Sequence, residues 1–130
     1  SADNRDRGGN CAPIDVGAER PSNLHAYWDV TVINGMTTSP HALAAQLRTT
    51  ITPAQKRAWE RGDPRAWAME TFAVGKATAY SVPTTPGCEP NKPAIRLPES
   101  YEPMARQTIS TQLQRAGVRM AKVLNAALDR

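Results

Sequence analysis

The sequence lacks the features that several large protein classes require. No apolar run approaches the roughly 20 consecutive residues that a membrane-spanning helix needs. No lysine follows the glycine pair Gly8-Gly9 at the spacing of a P-loop, so these glycines predict a surface turn rather than a phosphate-binding loop. No internal repeat and no signal peptide is present, and the chain starts at Ser1, as a mature secreted protein or a fragment would.

Cysteine is also scarce, with two residues in the chain, Cys11 and Cys88. Both lie in Pro-rich, loop-like surroundings that are typical of secreted proteins, and a small even number fits one disulfide that closes a long loop. One alternative is a pair of free, buried thiols in a cytosolic protein, and another is that Cys11 and Cys88 each pair with an upstream partner. If the disulfide forms, it adds on the order of 4 kcal/mol to the free energy of unfolding in the chain-entropy model.

The 130 residues are enough for a single domain with a modest core, and the formal net charge is +4. This mild positive balance fits an anionic partner without requiring one.

Apolar spacing and helix-start residues predict a mainly α fold. We expect four to five helices, a short N-terminal turn or hairpin over 1–21, and a Pro-rich loop over 83–98 that Cys88 tethers. The predicted helices are 22–34, 40–51, 53–61, 64–82 and 101–128. The single domain 1–130 then divides into 1–21, a helical part 22–82, the loop 83–98 and a long C-terminal helix within 99–130.

Two helices have faces that predict their packing. The helix over 64–82 is apolar nearly all round, which predicts a central, buried helix in which Glu70 needs a partner. In the last helix the apolar stripe is expected to face the core, and it comprises Ile109, Leu113, Ala116, Met120, Val123, Leu124, Ala127 and Leu128. The opposite face, with Arg115, Arg119 and Lys122, is expected to be solvated.

The short helix over 53–61 combines Lys56, Arg57 and Arg61 with Trp59. Such a pattern favours a solvated face with one anchoring tryptophan, and the alternative is a nucleic-acid surface with phosphate contacts and stacking. His41 lies in the first turn of its helix and is expected to be a surface residue.

The chain has one other histidine, His25, in the segment N-L-H-A-Y-W-D at 23–29. Asp29 follows four residues later, so on a helix both side chains lie on one face, about one turn or 6 Å apart along the axis. An imidazole and a carboxylate are suitable ligands for Zn²⁺. By itself this spacing is a weak signal.

Four segments occur together in one order: D-R-G-G-N at 6–10, N-L-H-A-Y-W-D at 23–29, W-A-M-E-T at 67–71 and A-G-V-R-M-A-K-V-L-N at 116–125. In this order the chain resembles the C-terminal part of the zinc-dependent, single-strand-specific nucleases of the S1/P1 type, which are related to zinc-dependent phospholipase C. The resemblance covers essentially the whole chain. The first two segments carry most of its specificity.

The resemblance implies an α-helical, disulfide-containing enzyme that is secreted or periplasmic and holds three zinc ions. It implies hydrolysis of single-stranded DNA and RNA, or of a 3′-phosphate, to 5′-phosphorylated products by metal-assisted attack of water. The zinc-ligand roles map onto His25 and Asp29. Supporting roles near the site map onto Asp6, Gly8, Gly9, Asn10 and Asn23, and no catalytic residue is assigned.

The chain also departs from the family pattern. An N-terminal tryptophan and an H-x-x-G-D-x-H-Q-P-x-H type segment, which supply further ligands, are not in the sequence. His25 and Asp29 are fewer than the three protein ligands typical of one catalytic zinc. We therefore expect a C-terminal fragment, inactive alone, that needs the missing N-terminal part or a second chain.

Two other functions remain open. One is a phospholipase C-like zinc hydrolase with the same metal chemistry. The other is a non-enzymatic helical module that binds an acidic partner through Arg115, Arg119, Lys122 and the basic residues of 56–61, with an affinity that falls as salt rises.

Overall fold

The structure is a computed structural model that describes residues 5–17 and 22–128, and this part is mainly helical, as predicted. The rest of the predicted N-terminal turn or hairpin, at 1–4 and 18–21, lies outside the described residues, as does the end of the predicted C-terminal segment at 129–130. The helical elements are α1 (Leu24–Ala26), a π-helical segment (Tyr27–Thr31), α2 (Val32–Met36), α3 (Pro40–Thr49), α4 (Pro53–Trp59), α5 (Pro64–Ala77) and α6 (Tyr101–Leu128).

The helix starts follow from local capping. Ser39, Thr52 and Asp63 each accept a hydrogen bond from a backbone N–H in the first turn, and a proline follows each of them. A capping side chain satisfies an otherwise orphaned donor, and proline suits the first helical position because its missing N–H is not needed there. The predicted starts of α3, α4 and α5 are therefore confirmed, as are both ends of α6.

Other predicted helix ends differ from the structure. The predicted helix over 22–34 begins at Leu24, continues through the π-helical segment and ends at Met36. Helix α5 ends at Ala77 rather than at residue 82, because the chain then turns, and Tyr80 donates its backbone N–H to the Gly75 carbonyl at 3.1 Å.

A small sheet joins the N-terminal part to the Pro-rich loop. Strand β1 (Pro13–Asp15) pairs antiparallel with β2 (Ser22–Asn23) and parallel with β3 (Ile95–Arg96), in the order β2-β1-β3. Strand β1 lies within the segment 1–21, for which a short turn or hairpin was predicted. Strand β3 was missed, because its two residues lie in a segment rich in proline.

The core lies between this sheet, the helical run from α1 to α2 and the first turns of α6. Its buried members are Ala12, Ile14, Leu24, Tyr27, Val32, Val82, Tyr101, Ala105 and Ile109. This core fixes the start of α1, where the candidate site lies, against the start of α6.

Two predictions about packing are wrong. Helix α5 has no buried residue, and Met69 and Phe72 are 60% and 49% exposed, so it is not a central helix. In α6, Ile109 is buried as predicted, but Leu113, Met120, Val123, Leu124 and Leu128 are exposed.

On the face of α6 that was expected to be solvated, Lys122 is exposed, but Arg115 and Arg119 are packed instead. Arg119 is 8% exposed and donates to the Glu70 carboxylate at 2.8 Å, and Arg115 contacts the other Glu70 oxygen at 2.7 Å. Arg119 also lies over the Trp67 ring, at 5.2 Å from its centroid. Glu70 thus has two partners, although α5 is not the buried helix from which the need for a partner was predicted. This cluster turns the apolar stripe of α6 towards solvent.

In the described part of the chain, no helix has the length and apolarity that a membrane span requires.

Candidate functional site

The D-R-G-G-N segment forms the tight turn that its glycines predict. Gly8 and Gly9 have φ angles of 65° and 88°, in the left-handed region that glycine adopts without steric cost. The Cys11 N–H donates to the Asp6 carbonyl at 2.9 Å and closes the turn. Asn10, which is exposed, donates its side-chain amide to the Arg7 carbonyl at 2.9 Å.

Gly9 lies against the start of α1 so closely that a side chain does not fit. The His25 N–H donates to the Gly9 carbonyl at 3.4 Å. A Cβ atom on Gly9 would lie 3.1 Å from the His25 backbone nitrogen and 3.2 Å from the Leu24 Cβ. Glycine is therefore required here both for its backbone angle and for the close approach.

Asp6 anchors the other end of the turn in the protein interior. Its residue exposure is 2%, and the Tyr80 hydroxyl donates to its Oδ1 at 3.3 Å. Burial, together with the negative charge of Asp6 and this hydrogen bond, raises the pKa of Tyr80 to about 12.

Asn23 starts the helix that carries the histidine. Its backbone is extended, and its side-chain oxygen accepts the Ala26 N–H at 2.8 Å. The helix then widens into the π-helical segment, in which the Val32 N–H donates to the Tyr27 carbonyl five residues earlier. Such π-helical turns are rare and frequently lie at functional sites.

His25 and Asp29 are brought together on this helix. The His25 Nε2 lies 3.1 Å from the Asp29 Oδ2, and the two side chains are 47% and 64% exposed. The His25 Nδ1 lies 3.1 Å from the Gly8 carbonyl oxygen, which can only accept, so Nδ1 carries the proton of this hydrogen bond. The pair is thus open to solvent on one side and held by the glycine turn on the other.

This arrangement fits a zinc ion. In the neutral ring the Nε2 lone pair faces the carboxylate, and two acceptors this close need a proton or a cation between them. A tetrahedral zinc with ligand bonds of about 2.0–2.2 Å separates its ligand atoms by about 3.3–3.6 Å, close to the separation seen here. Metal-ligating histidines almost always donate the other ring N–H to a carbonyl or carboxylate, as His25 donates to Gly8.

The pair alone is an incomplete metal centre. Within residues 5–17 and 22–128, no group of three or more His, Cys, Asp or Glu side chains is placed to hold a metal ion. His41 is exposed in the first turn of α3, as expected, and does not join the pair.

The predicted cysteine pairing is present. Cys11 and Cys88 form a disulfide across 77 positions, with their Cα atoms 5.0 Å apart. Because Cys11 directly follows the glycine turn, the bond ties this turn to the Pro-rich loop.

Sequence reasoning missed three residues that support the site. Trp28, next to Asp29, donates its Nε1–H to the Tyr101 hydroxyl at 2.9 Å, and Tyr101 donates to the Ala79 carbonyl at 2.6 Å. Tyr80 holds Asp6 as described above. The partners in these hydrogen bonds lie 22 to 74 residues apart in sequence, so no local sequence pattern predicts the bonds.

The basic residues divide into two sets. Lys56, Arg57 and Arg61 are exposed, and Trp59 beside them is 9% exposed, which is the predicted solvated face with one anchoring tryptophan. Arg115 and Arg119 instead hold Glu70, so their guanidinium groups are already engaged within the fold.

Comparison with protein families gave a match over nearly the whole chain. The family model described as S1/P1 Nuclease matches residues 1–129, nearly the whole chain. Comparison with curated proteins and with solved structures gave no match.

Proposed function

Because the chain belongs to the S1/P1 nuclease family, we propose that it is part of a zinc-dependent endonuclease and 3′-nucleotidase. The family supports a nuclease or phosphodiesterase function, and such enzymes are in general zinc-dependent. The finer proposal is hydrolysis of single-stranded DNA and RNA to 5′-phosphorylated products.

One observation carries the metal part of the proposal, namely the 3.1 Å approach of His25 Nε2 to Asp29 Oδ2. We assign both residues as ligands of one zinc ion. The Gly8 carbonyl keeps the proton on Nδ1, so that Nε2 offers its lone pair to the metal. Asn23 and Gly9 hold the first turn of the helix in the position that this requires.

Zinc, when bound, would polarise a phosphoryl oxygen and lower the pKa of a bound water. As ligands, His25 and Asp29 keep their lone pairs on the metal side and are not the proton acceptors of the reaction. In the described residues, Lys56 and Arg57 on α4 and Arg61 just after it are exposed cations that can attract a polyanionic strand.

Two ligands are fewer than the three protein ligands that one catalytic zinc typically has. We therefore propose that further ligands for the three zinc ions come from outside the described residues, in an N-terminal part of the enzyme or in a second chain. Residues 1–130 alone are then inactive.

We also propose that the enzyme acts outside the cytosol. Family members are generally secreted, and the Cys11–Cys88 disulfide is compatible with an oxidising compartment.

The test is hydrolysis by a longer form of the protein that includes the segment before Ser1, with zinc present. Single-stranded DNA is the expected substrate, and phosphatidylcholine vesicles are the comparison. His25→Ala and Asp29→Asn are each expected to lower the activity on DNA at least ~100-fold, because the loss of a direct ligand is more severe than the loss of an outer partner, which typically costs about 10–100-fold.

His41→Ala is the matched control, since it removes the other histidine and is expected to leave the activity unchanged. Equal activity of the His25→Ala and His41→Ala proteins would contradict the ligand assignment. Preferential hydrolysis of phosphatidylcholine would instead favour the phospholipase C-like function.

A further inference from the structure

Both members of the His25–Asp29 pair depend on supports that lie outside their helix. The imidazole of His25 is oriented by the Gly8 carbonyl, which belongs to the turn over 6–11. Asp29 follows Trp28, whose indole is held by α6. The relative position of imidazole and carboxylate therefore depends on what anchors the turn and the indole.

Tyr101 anchors the indole. Its hydroxyl accepts the Trp28 Nε1–H at 2.9 Å and donates to the Ala79 carbonyl at 2.6 Å. The two rings also meet edge to face, with centroids 6.0 Å apart, and Tyr101 is 2% exposed. In this interior the loss of either bond leaves a polar group without a partner, which is costly.

Tyr80 anchors the turn, and it directly follows Ala79. Its hydroxyl donates to Asp6, which is as deeply buried as Tyr101 and whose carbonyl closes the turn that presents Gly8. The adjacent residues Ala79 and Tyr80 are thus the common end of two hydrogen-bonded arms. One arm runs to the support of His25 and the other to the neighbour of Asp29.

We propose that Tyr80 and Tyr101 are positioning residues of the metal site, which set the geometry between His25 and Asp29 through these two arms. The inference rests on the proposed function. Neither tyrosine touches the ion. Outer partners of this kind fix the ring orientation of a ligating histidine, and their loss typically lowers metal affinity by about 10–100-fold.

The experiment uses NMR on the 130-residue chain, with and without Zn²⁺. In the zinc-loaded chain, long-range ¹⁵N–¹H correlations report which ring nitrogen of His25 carries the proton. In the natural chain we expect the proton on Nδ1, which leaves the Nε2 lone pair to the zinc ion. In Tyr80→Phe, at the same zinc concentration, we expect a smaller share of this form, because the Gly8 carbonyl is less well placed.

The zinc titration gives the second readout. Tyr80→Phe and Tyr101→Phe are each expected to raise the Kd of the His25 response roughly tenfold, at the low end of the range for outer partners. His41 in the same spectra is an internal reference that should not change.

Tyr27→Phe is the matched control. It removes a hydroxyl from the same core, and within the described residues that hydroxyl takes part in neither arm. Leu43→Ala controls for a general loss of stability, because Leu43 is a buried residue of α3 that belongs to neither arm. Both are expected to keep the natural tautomer and the natural Kd.

The proposal is overturned if Tyr80→Phe and Tyr101→Phe bind zinc as the natural chain does, or if Leu43→Ala weakens binding equally. Asp29→Asn separates this failure from that of the proposed function. If Asp29→Asn abolishes the His25 response to zinc while both tyrosine variants keep it, the ligand assignment stands and only the positioning role is lost.

Discussion

Gly8 and Gly9 show how two neighbouring residues of one type carry different constraints. Both have positive φ angles, but a Cβ on Gly8 would meet no atom within 4 Å, whereas on Gly9 it would press on His25 and Leu24. Gly8→Ala then costs only the left-handed backbone penalty, about 1–2 kcal/mol. Gly9→Ala adds a displacement of the helix start.

We therefore expect Gly9→Ala to lower the free energy of unfolding by about 2–4 kcal/mol, clearly more than Gly8→Ala does. Urea denaturation followed by circular dichroism measures both. Equal losses in the two variants would contradict the close packing of Gly9 on His25.

The raised pKa of Tyr80 predicts that the protein loses stability at alkaline pH. Its pKa is raised from the ordinary 10.0 to about 12, so the folded protein keeps the phenolic proton in a range where the unfolded chain has lost it. The contribution of the protonated Tyr80 hydroxyl to folding stability is fully present below pH 10 and is lost as the pH rises from 10 to about 12. Thermal unfolding across this range should show Tm falling less steeply in Tyr80→Phe than in the natural chain.

At the residue scale, sequence reasoning succeeded where the cause is local. The Asn23 cap and the positive φ of the glycine turn follow from the chemistry of adjacent residues. The same holds for the spacing that brings His25 to Asp29, although their role as ligands stays a prediction. Tyr80 and Tyr101 could not be predicted, because their partners Asp6 and Trp28 lie 74 and 73 positions away.

At the scale of elements, the Glu70 cluster decides how α6 is oriented. Arg115 and Arg119 reach Glu70 on α5, and Arg119 also donates to the Trp59 carbonyl at 3.2 Å. Cation–π contacts with Trp59 and Trp67 complete the cluster. Helix starts could be predicted from caps such as Asp63, but the packed face of α6 could not, because it depends on partners from other helices.

We expect Glu70→Gln to lower the free energy of unfolding by about 2–3 kcal/mol, since it leaves the buried Arg119 without its anion. The value lies below the cost for a fully buried pair because the Glu70 side chain is 38% exposed. Chemical denaturation measures the loss.

Glu60→Gln is the control, because the Lys56–Glu60 pair spans 3.9 Å at the surface and is worth about 0.5 kcal/mol or less. If both substitutions cost the same, the Glu70 cluster does not hold α6 in place.

At the scale of the whole molecule, the disulfide connects parts that are far apart in sequence. It closes a loop of 77 positions, which corresponds to about 4–5 kcal/mol in the chain-entropy model. We expect reduction to lower the free energy of unfolding by roughly this amount. A Cys11→Ser, Cys88→Ser double variant should match the reduced protein and should not respond to dithiothreitol.

The overall helical class could be predicted from apolar spacing, and a disulfide from cysteine count and surroundings, although the pairing of Cys11 with Cys88 was one of several alternatives. The exposure of several apolar side chains could not be predicted, because periodicity shows that a helix face is apolar but not what covers it. These side chains are Met69, Phe72, Met120 and Leu128. Faces of this kind mark interaction surfaces in many proteins.

The central claim is that His25 and Asp29 form one edge of a zinc site, and a zinc titration of the 130-residue chain followed through the His25 ring tests it most directly. We predict a weak, saturable response at His25 Nε2 that disappears in Asp29→Asn, with no response at His41. An equal response of the two histidines, or tight stoichiometric binding of three zinc ions by this chain alone, would contradict the account.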